Sequence, residues 1–240
     1  MSSVKPYSED GSKKEQVADM FDAISTRYDL LNRVLSMGID TLWRRRTVKA
    51  IRHRKAKNIL DVATGTGDLA IALSKIPGSR ITGADISKGM LEVGRQKIAA
   101  RKLDDRIELV LGDGEKLPFD DNHFDAATVA FGVRNFENLQ AGLQDMRRVI
   151  KPGGTLAVLE FSQPQSFPFR QIYFFYFRAI LPFVGRLVSK DRRAYTYLPE
   201  SVEAFPYDQA FVDELKQAGY ESIGRRPLTF GIATLYLAKK

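Results

Sequence analysis

Between residues 58 and 161 the chain alternates between short apolar, β-branched runs and longer stretches with helical spacing, and few folds accept that order. Residues 58–63 (NILDVA) have the composition of a buried strand, which stops at Gly65 and Gly67. Residues 69–75 read as a helix, 80–86 as a strand, 90–102 as a helix and 106–113 as a strand. The next strand is 125–132, followed by a helix at 139–150 and another strand at 155–161. Strands and helices in this alternation pair parallel, because each helix carries the chain back across the sheet. The end of the chain breaks the rhythm. Residues 205–218 suit a helix, but 221–229 and 232–238 are both β-rich with no helix between them, so they should pair antiparallel at a sheet edge. The prediction is an α/β fold with a mostly parallel seven-stranded sheet, a C-terminal antiparallel hairpin and helices on both faces.

Two helices should precede the sheet, in a lid-like segment over residues 14–57. The first carries Val17, Met20, Phe21, Ile24, Tyr28 and Leu31 at steps of three and four, and the second is basic and lies around Trp43 to Arg52. Residues 162–204 form an insertion too long for a structureless loop, expected as a helical, aromatic-rich lobe. Residues 1–13 are polar and read as a disordered lead-in without the apolar run of a secretory signal. One domain should therefore cover residues 14–240. No run of about 20 apolar residues is present, so no bilayer span is expected.

Composition removes some chemistries. Cysteine is absent, which excludes disulfides, thiolate metal sites and a cysteine nucleophile, and fits a cytoplasmic placement. His53 and His123 alone make a poor metal set, so no metal is expected. A net charge of +8 invites an anionic partner, nucleic acid or a membrane surface.

The turn Asp61-Val62-Ala63-Thr64-Gly65-Thr66-Gly67-Asp68 closes the first strand and opens a helix. Glycine there lets backbone approach a ligand with no Cβ in the way. The run Gly65-x-Gly67-x-x-Ala70 also fits a dinucleotide fingerprint, so the turn alone leaves nicotinamide and adenosyl cofactors both open. Asp85, at the end of the second strand, can bind ribose hydroxyls in either case. The third strand separates them: it ends in Gly112-Asp113-Gly114-Glu115, where Asp113 can accept from an exocyclic adenine amine. With Arg148-Val149-Ile150-Lys151-Pro152-Gly153-Gly154 before the fifth strand and the terminal hairpin, this order resembles the class I S-adenosylmethionine-dependent methyltransferases. Their first turn usually reads acid-x-Gly-x-Gly-x-Gly, and here Ala63 stands at the first glycine. The resemblance implies S-adenosylmethionine as methyl donor, held by Asp61, Gly65, Thr66, Gly67, Asp85, Ile86, Asp113, Gly114 and Ala130.

Three further segments narrow the resemblance: the helix FDAISTRYDLLN from Phe21 to Asn32, Phe131-Gly132-Val133-Arg134-Asn135 after the fourth strand, and Leu159-Glu160-Phe161-Ser162-Gln163-Pro164 after the fifth. Together they resemble the quinone-biosynthesis C-methyltransferases, from about Lys14 to the C-terminus. The resemblance implies methylation of a ring carbon of demethylmenaquinol, with the polyprenyl benzoquinol precursor of ubiquinone as the alternative. A phenol has a pKa near about 10, so the pocket must favour the phenolate for the ring carbon to become nucleophilic. Arg134 is the expected fixed cation beside the ring oxygen; guanidinium stays protonated, so it cannot be the base. Tyr28 and Asn135 are expected to orient the substrate, although Tyr28 also suits core packing and Asn135 also suits a helix cap. Asp29 is the candidate proton acceptor. Glu160 and Ser162 fall at the strand end where sites collect in open α/β sheets.

The insertion concentrates aromatics in residues 167–178 and apolar residues in 180–184, beside Arg178, Arg186, Lys190, Arg192 and Arg193. It can wall a pocket for a prenyl tail, dock on an anionic membrane or pack a lobe onto the sheet; wall and lobe together are favoured here. The run Arg44-Arg45-Arg46, continued by Arg52, Arg54, Lys55 and Lys57, can add to a membrane-facing charge or serve as a solvated helix face. The expected partners are thus a prenylated hydroquinone, an anionic membrane surface touched peripherally at its inner face, and a second copy in a homodimer, with no nucleic acid. Two rivals remain, a nicotinamide-dependent oxidoreductase and a non-enzymatic nucleic-acid or membrane module.

Overall fold

The computed structural model describes residues 4–8, 10–176, 179 and 192–240. Its helices are α1 (Lys13–Leu35), α2 (Ile39–His53), α3 (Asp68–Leu73), α4 (Lys88–Ala100), α5 (Leu139–Val149), α6 (Phe169–Phe175), α7 (Arg192–Ala204) and α8 (Gln209–Gln217). The strands are β1 (Asn58–Val62), β2 (Arg80–Asp85), β3 (Ile107–Leu111), β4 (Phe124–Ala130), β5 (Ile150–Phe161), β6 (Glu221–Leu228) and β7 (Ala233–Lys239). They form one seven-stranded sheet in the order β3-β2-β1-β4-β5-β7-β6. Pairings are parallel from β3 through to β5, and β7 runs antiparallel to both β5 and β6. The predicted class and the edge hairpin are both present.

Alternation along the strands divides the core into two layers. Leu60, Val62, Ala127, Val129, Leu156, Val158 and Tyr236 face one cluster with Leu143 and Met146 of α5 and Phe211 and Leu215 of α8. Ile59, Ala126, Ala157, Leu159 and Leu235 face the other, with Trp43 and Ile51 of α2, Leu69 and Leu73 of α3 and Leu91 and Ile98 of α4. Successive Cβ atoms point to opposite faces, so a strand covered on both sides is apolar throughout.

Three expectations change. The fifth strand begins at Ile150, not at residue 155, because Ile150 pairs with Phe124 and Pro152-Gly153-Gly154 lies inside the strand. Gly153 (φ +76°) takes the irregular position there, and its N–H donates to the C-terminal Lys240 carbonyl at 3.0 Å. The helix expected from residue 205 begins at Gln209, because Asp208 has φ 58° and ψ −122°, which no helix accommodates. The described part of residues 1–13 also makes contacts that a disordered lead-in would not. Pro6 is buried, Gln16 Oε1 accepts from the Tyr7 and Ser8 N–H groups, and Ser12 Oγ donates to Glu137 at 2.9 Å. Of the aromatic insertion, Phe177, Arg178, residues 180–184, Arg186 and Lys190 lie outside the described residues.

Candidate active site

The sheet order reverses direction between β1 and β4, and the crevice at the carboxyl ends of those strands is where open α/β sheets bind ligands. Here the crevice is split into two adjoining cavities. One, enclosing about 670 Å³, is built from the turn after β1, the ends of β2, β3 and β4, and α1. The other, about 1480 Å³, is walled by α1, α2, α6, α7 and the ends of β4 and β5. Phe21, Tyr28, Phe131 and Asn135 line both.

The smaller cavity has backbone and carboxylates where an adenosyl group needs them. Asp85, 8% exposed, accepts from the Gly65 N–H at 2.7 Å and the Ser87 N–H at 2.9 Å. An ionised carboxylate has about four lone-pair sites, so a cavity-facing pair remains for ribose hydroxyls. Burial pushes its pKa up while the backbone N–H groups of Ser87, Gly65 and Ile86 pull it down. Gly65 sits at φ +57°, and a Cβ there would come within 4.0 Å of the Tyr28 ring, narrowing the cavity. Asp113 accepts from the Glu115 N–H at 2.9 Å and from the Lys14 ammonium at 2.5 Å. These donors, acids and glycines suit S-adenosylmethionine.

α1 closes over this cavity through polar contacts along its length. Asp22 accepts from Ser87 Oγ at 2.5 Å and from the Gly89 N–H at 2.8 Å. Lys13, 5% exposed, donates to the carbonyls of Arg134 at 3.1 Å and Phe136 at 2.9 Å. Its pKa is lowered to about 8, first by burial and then by the nearby Arg134 charge.

The larger cavity is mainly apolar, with Met20, Ile24, Leu31, Trp43, Phe161 and Tyr173 among its walls. Arg134 reaches it as part of a buried ion pair: Nη1 lies 2.9 Å from Glu160 Oε1, and the two side chains are 7% and 0% exposed. Nη1 also donates to the Phe131 carbonyl, and the guanidinium lies 5.4 Å from the Phe161 ring centroid. Asn135 Oδ1 accepts from Tyr197 Oη at 3.2 Å, which fixes the amide at the junction of the cavities. Burial pushes the Tyr28 and Tyr197 hydroxyls up, Tyr197 to about 12, so both stay protonated donors at neutral pH.

The sequence matches the ubiE/COQ5 methyltransferase family over residues 9–240. This chain belongs to that family. The demethylmenaquinone methyltransferase of Bacteroides fragilis is 46% identical over 238 residues, covering 99% of this chain and 97% of that protein. The ubiquinone/menaquinone biosynthesis C-methyltransferase UbiE of Geobacter sulfurreducens is 45% identical over 230 residues, covering 95% of this chain and 90% of that one. Among solved structures, an S-adenosylmethionine-dependent methyltransferase of Thermotoga maritima shares the fold with a TM-score of 0.66 at 18% identity, over 92% of this chain and 99% of that one. The cyclase SpnF does so with 0.67 at 17%, over 95% and 96%. A cyclase on the same fold shows why activity has to be argued from the site.

This family member uses S-adenosylmethionine, and membership decides against the hydride-transfer and non-enzymatic rivals. Of the residues expected to hold the donor, Gly65, Asp85, Ile86, Asp113, Gly114 and Ala130 line the smaller cavity. Asp61, Thr66 and Gly67 stand behind it. Asp61, 1% exposed, accepts from Thr64 Oγ1 and Thr128 Oγ1, both at 2.6 Å, so it braces the turn from beneath. Thr66 Oγ1 donates to Asp29 at 2.5 Å, and Gly67 donates its N–H to the Thr64 carbonyl at 3.0 Å.

Asp29, expected as proton acceptor, lines neither cavity: its second oxygen binds Lys97 Nζ at 2.5 Å, and the group ties α1 to α4. Ser162 is likewise structural, donating to the Gly231 carbonyl at 2.7 Å. Sequence reasoning missed Lys14, Met90 and Phe136 in the smaller cavity, and Asp40 and Arg44 in the larger. Lys14 carried a faint signal, a cation one turn before the first apolar stripe. Met90 and Phe136 are ordinary core residues in sequence.

Proposed function

We propose that this enzyme moves a methyl group from S-adenosylmethionine to a ring carbon of demethylmenaquinol, giving menaquinol. The supporting observation is the junction of the two cavities. A polar, acid-lined chamber meets a larger apolar one, with a buried asparagine and a tyrosine at their boundary and a buried arginine on the apolar side. A prenylated hydroquinol has the matching chemistry, two ring hydroxyls at the head and a hydrocarbon tail. Bound in the smaller cavity, S-adenosylmethionine would supply an electrophilic methyl on a sulfonium.

Arg134 faces the ring oxygen and favours the phenolate, which makes the neighbouring ring carbon nucleophilic. Asn135 and Tyr28, shared by both cavities, hold the ring against the donor, and alignment of that kind supplies much of the rate. Phe131, Phe161 and Trp43 exclude water. Phe131 packs 5.8 Å from Trp43 and 4.5 Å from Phe161, centroid to centroid. A phenolate and a sulfonium lose charge as they react, so a dry wall favours the transition state over the separated ions.

The larger cavity opens among apolar side chains. Met37 (74% exposed) and Ile172 (60%) line it, and Phe167 and Phe230 are exposed on neighbouring segments. Among the described residues no helix is long and apolar enough to cross a membrane. A mouth of this kind suits contact with a bilayer surface, from which a tailed substrate can slide in. Sedimentation with anionic phosphatidylglycerol vesicles, compared between the native chain and a Met37→Asp/Ile172→Asp variant, tests that contact.

The reaction is tested by offering labelled S-adenosylmethionine with reduced demethylmenaquinone or the polyprenyl benzoquinol precursor separately. Methylated demethylmenaquinol supports the reading; faster product from the benzoquinol moves the assignment to ubiquinone synthesis. Absence of both products, with donor binding intact, defeats it.

A further inference from the structure

A 1,4-quinol carries two ring hydroxyls, and activation of the ring carbon uses one of them. Each free ring carbon is ortho to a single hydroxyl and draws its electrons mainly from that oxygen. The para hydroxyl still has to enter an apolar cavity, where a buried hydroxyl without a partner costs binding free energy. Arg134 serves one oxygen, so the other needs a partner elsewhere on the cavity wall.

α1 and α2 supply that wall, and Arg44 is its cation. Arg44 lies one turn after Asp40 on the same face of α2, and both line the larger cavity. Its Nη1 is held by two acids, Asp40 Oδ2 at 2.5 Å and Asp68 Oδ2 at 3.3 Å. Asp40 is itself fixed, because its other oxygen accepts from Ser36 Oγ at 2.7 Å. The Arg44 side chain is 13% exposed, and among the described residues no acceptor meets its Nε or Nη2. A guanidinium presents five N–H donors in one rigid plane, and the two acids engage Nη1 alone. The result is a nearly buried cation, anchored at one nitrogen, with the remaining donors unused on a cavity wall.

We infer that Arg44 binds the second ring oxygen of the quinol, the hydroxyl para to the one that Arg134 favours as phenolate. This role rests on the quinol reading above and makes Arg44 a specificity-determining residue. Tyr28 lies within the field of both guanidiniums. Burial pushes its hydroxyl up, and the Asn32 hydrogen bond and the Arg134 and Arg44 charges oppose that rise. Both cations are therefore near the tyrosine at the junction of the cavities, where the ring has to sit to meet the donor. The other polar groups on the α1 and α2 wall are already engaged: Asn32 with Tyr28, Ser36 with Asp40, and Asp40 through both its oxygens. Held at both oxygens, the ring cannot turn in its plane, and the same carbon always meets the methyl.

The test is a double difference. Anaerobic methyl transfer is measured on demethylmenaquinol and on a prenylated 1-naphthol that keeps only the hydroxyl ortho to the free carbon. The enzymes compared are the wild type, Arg44→Met and Arg44→Lys. Removing the hydroxyl alters the ring's own reactivity equally in every enzyme, so the change in the ratio of the two kcat/KM values isolates the contact. That ratio should fall by about 10- to 100-fold in Arg44→Met, with the loss concentrated on the diol. Arg44→Lys keeps a charge for Asp40 and Asp68 but has one compact ammonium, so its ratio should be intermediate; it carries the test if Arg44→Met does not fold. S-adenosylhomocysteine calorimetry should give the same affinity in all three. Equal losses on both substrates, leaving the ratio at its wild-type value, mean a structural role and overturn the inference. A matching loss of S-adenosylhomocysteine affinity assigns the cation to the donor and overturns it as well. Wild-type enzyme that binds the donor but methylates neither compound defeats the quinol reading instead, and this role with it.

Discussion

The two cavities are built on different principles. The smaller is made by backbone: turns at four strand ends, glycines that keep side chains out, and carboxylates held by peptide N–H groups. The larger is made by shape, with apolar side chains from α1, α2, α6 and α7 enclosing a volume about twice as great. A backbone-built site needs particular residues at fixed intervals, whereas a shape-built one needs only enough bulk, and many sequences supply it. The donor side should therefore respond to single atoms. The quinol side should respond mainly where its few polar groups sit.

Arg134→Ala tests the second half of that statement with the largest expected effect. Removing the guanidinium leaves Glu160 buried without its partner, which costs about 3–5 kcal/mol. The stranded carboxyl escapes by taking a proton, so the loss should be smaller at pH 5 than at pH 8. Methyl transfer should fall by about 10²–10³. Urea denaturation at the two pH values and initial rates check this. A variant that is stable and equally active at pH 8 would place the whole quinol side on shape alone.

Asp61 offers a sharper contrast, since it is a donor-side acid that never faces the donor cavity. Burial outweighs its two threonine hydrogen bonds and raises its pKa from 3.8 to about 6. The folded state then holds the proton more tightly than the unfolded one. Asp61's contribution is thus fully present below about pH 4 and lost as pH rises through about 6. The difference between the wild type and Asp61→Asn, whose amide can still bond both threonines, should change by about 2–3 kcal/mol across that window. Because Asp68 and Asp125 are shifted downward and act with the opposite sign, the difference between the two proteins is the quantity to measure. An unchanged difference would mean Asp61 is ionised at no cost. Asp85→Asn, by comparison, should weaken S-adenosylhomocysteine binding by about tenfold to a hundredfold in calorimetry, with little effect on stability.

The same contrast explains what was legible in the sequence. The alternation of strands and helices, the hairpin and the acids Asp85 and Asp113 could be read because short apolar runs and strand-end punctuation are local. Asp61, Thr66 and Gly67 look the same in sequence as Gly65, but the turn points them to its back. Asp29 follows Tyr28 immediately, yet a helix turns about 100° per residue, so Tyr28 faces both cavities while Asp29 faces Lys97. Asp40 and Arg44 were hidden in a basic helix, where their pairing one turn apart has no sequence mark of function. Contacts between α1, α6 and α7 depend on side chains far apart in the chain, and no local pattern encodes them.

The smallest prediction concerns the one place where the donor-side turn departs from the usual glycine pattern. Ala63 has φ +50°, a left-handed conformation that costs a residue with a Cβ roughly 1–2 kcal/mol. Its Cβ also fills the space next to Gly132, where a second Cβ would lie only 2.6 Å away. Ala63→Gly removes the strain but adds unfolded-state freedom worth about 0.5–1 kcal/mol in the other direction. The net change should be a gain of about 0.5 kcal/mol in urea denaturation, near the limit of that measurement. The opposite substitution amplifies it: Gly132→Ala should clash with Ala63, lowering both stability and donor affinity, and Ala63→Gly should restore part of each. Recovery in the double variant would show that the alanine is tolerated because Gly132 makes room for it, and that steric exchange between two backbone turns governs this side of the site. Additive losses would mean that Gly132 is kept for another contact, with Val129 Cγ2 at 3.0 Å as the neighbour to test next.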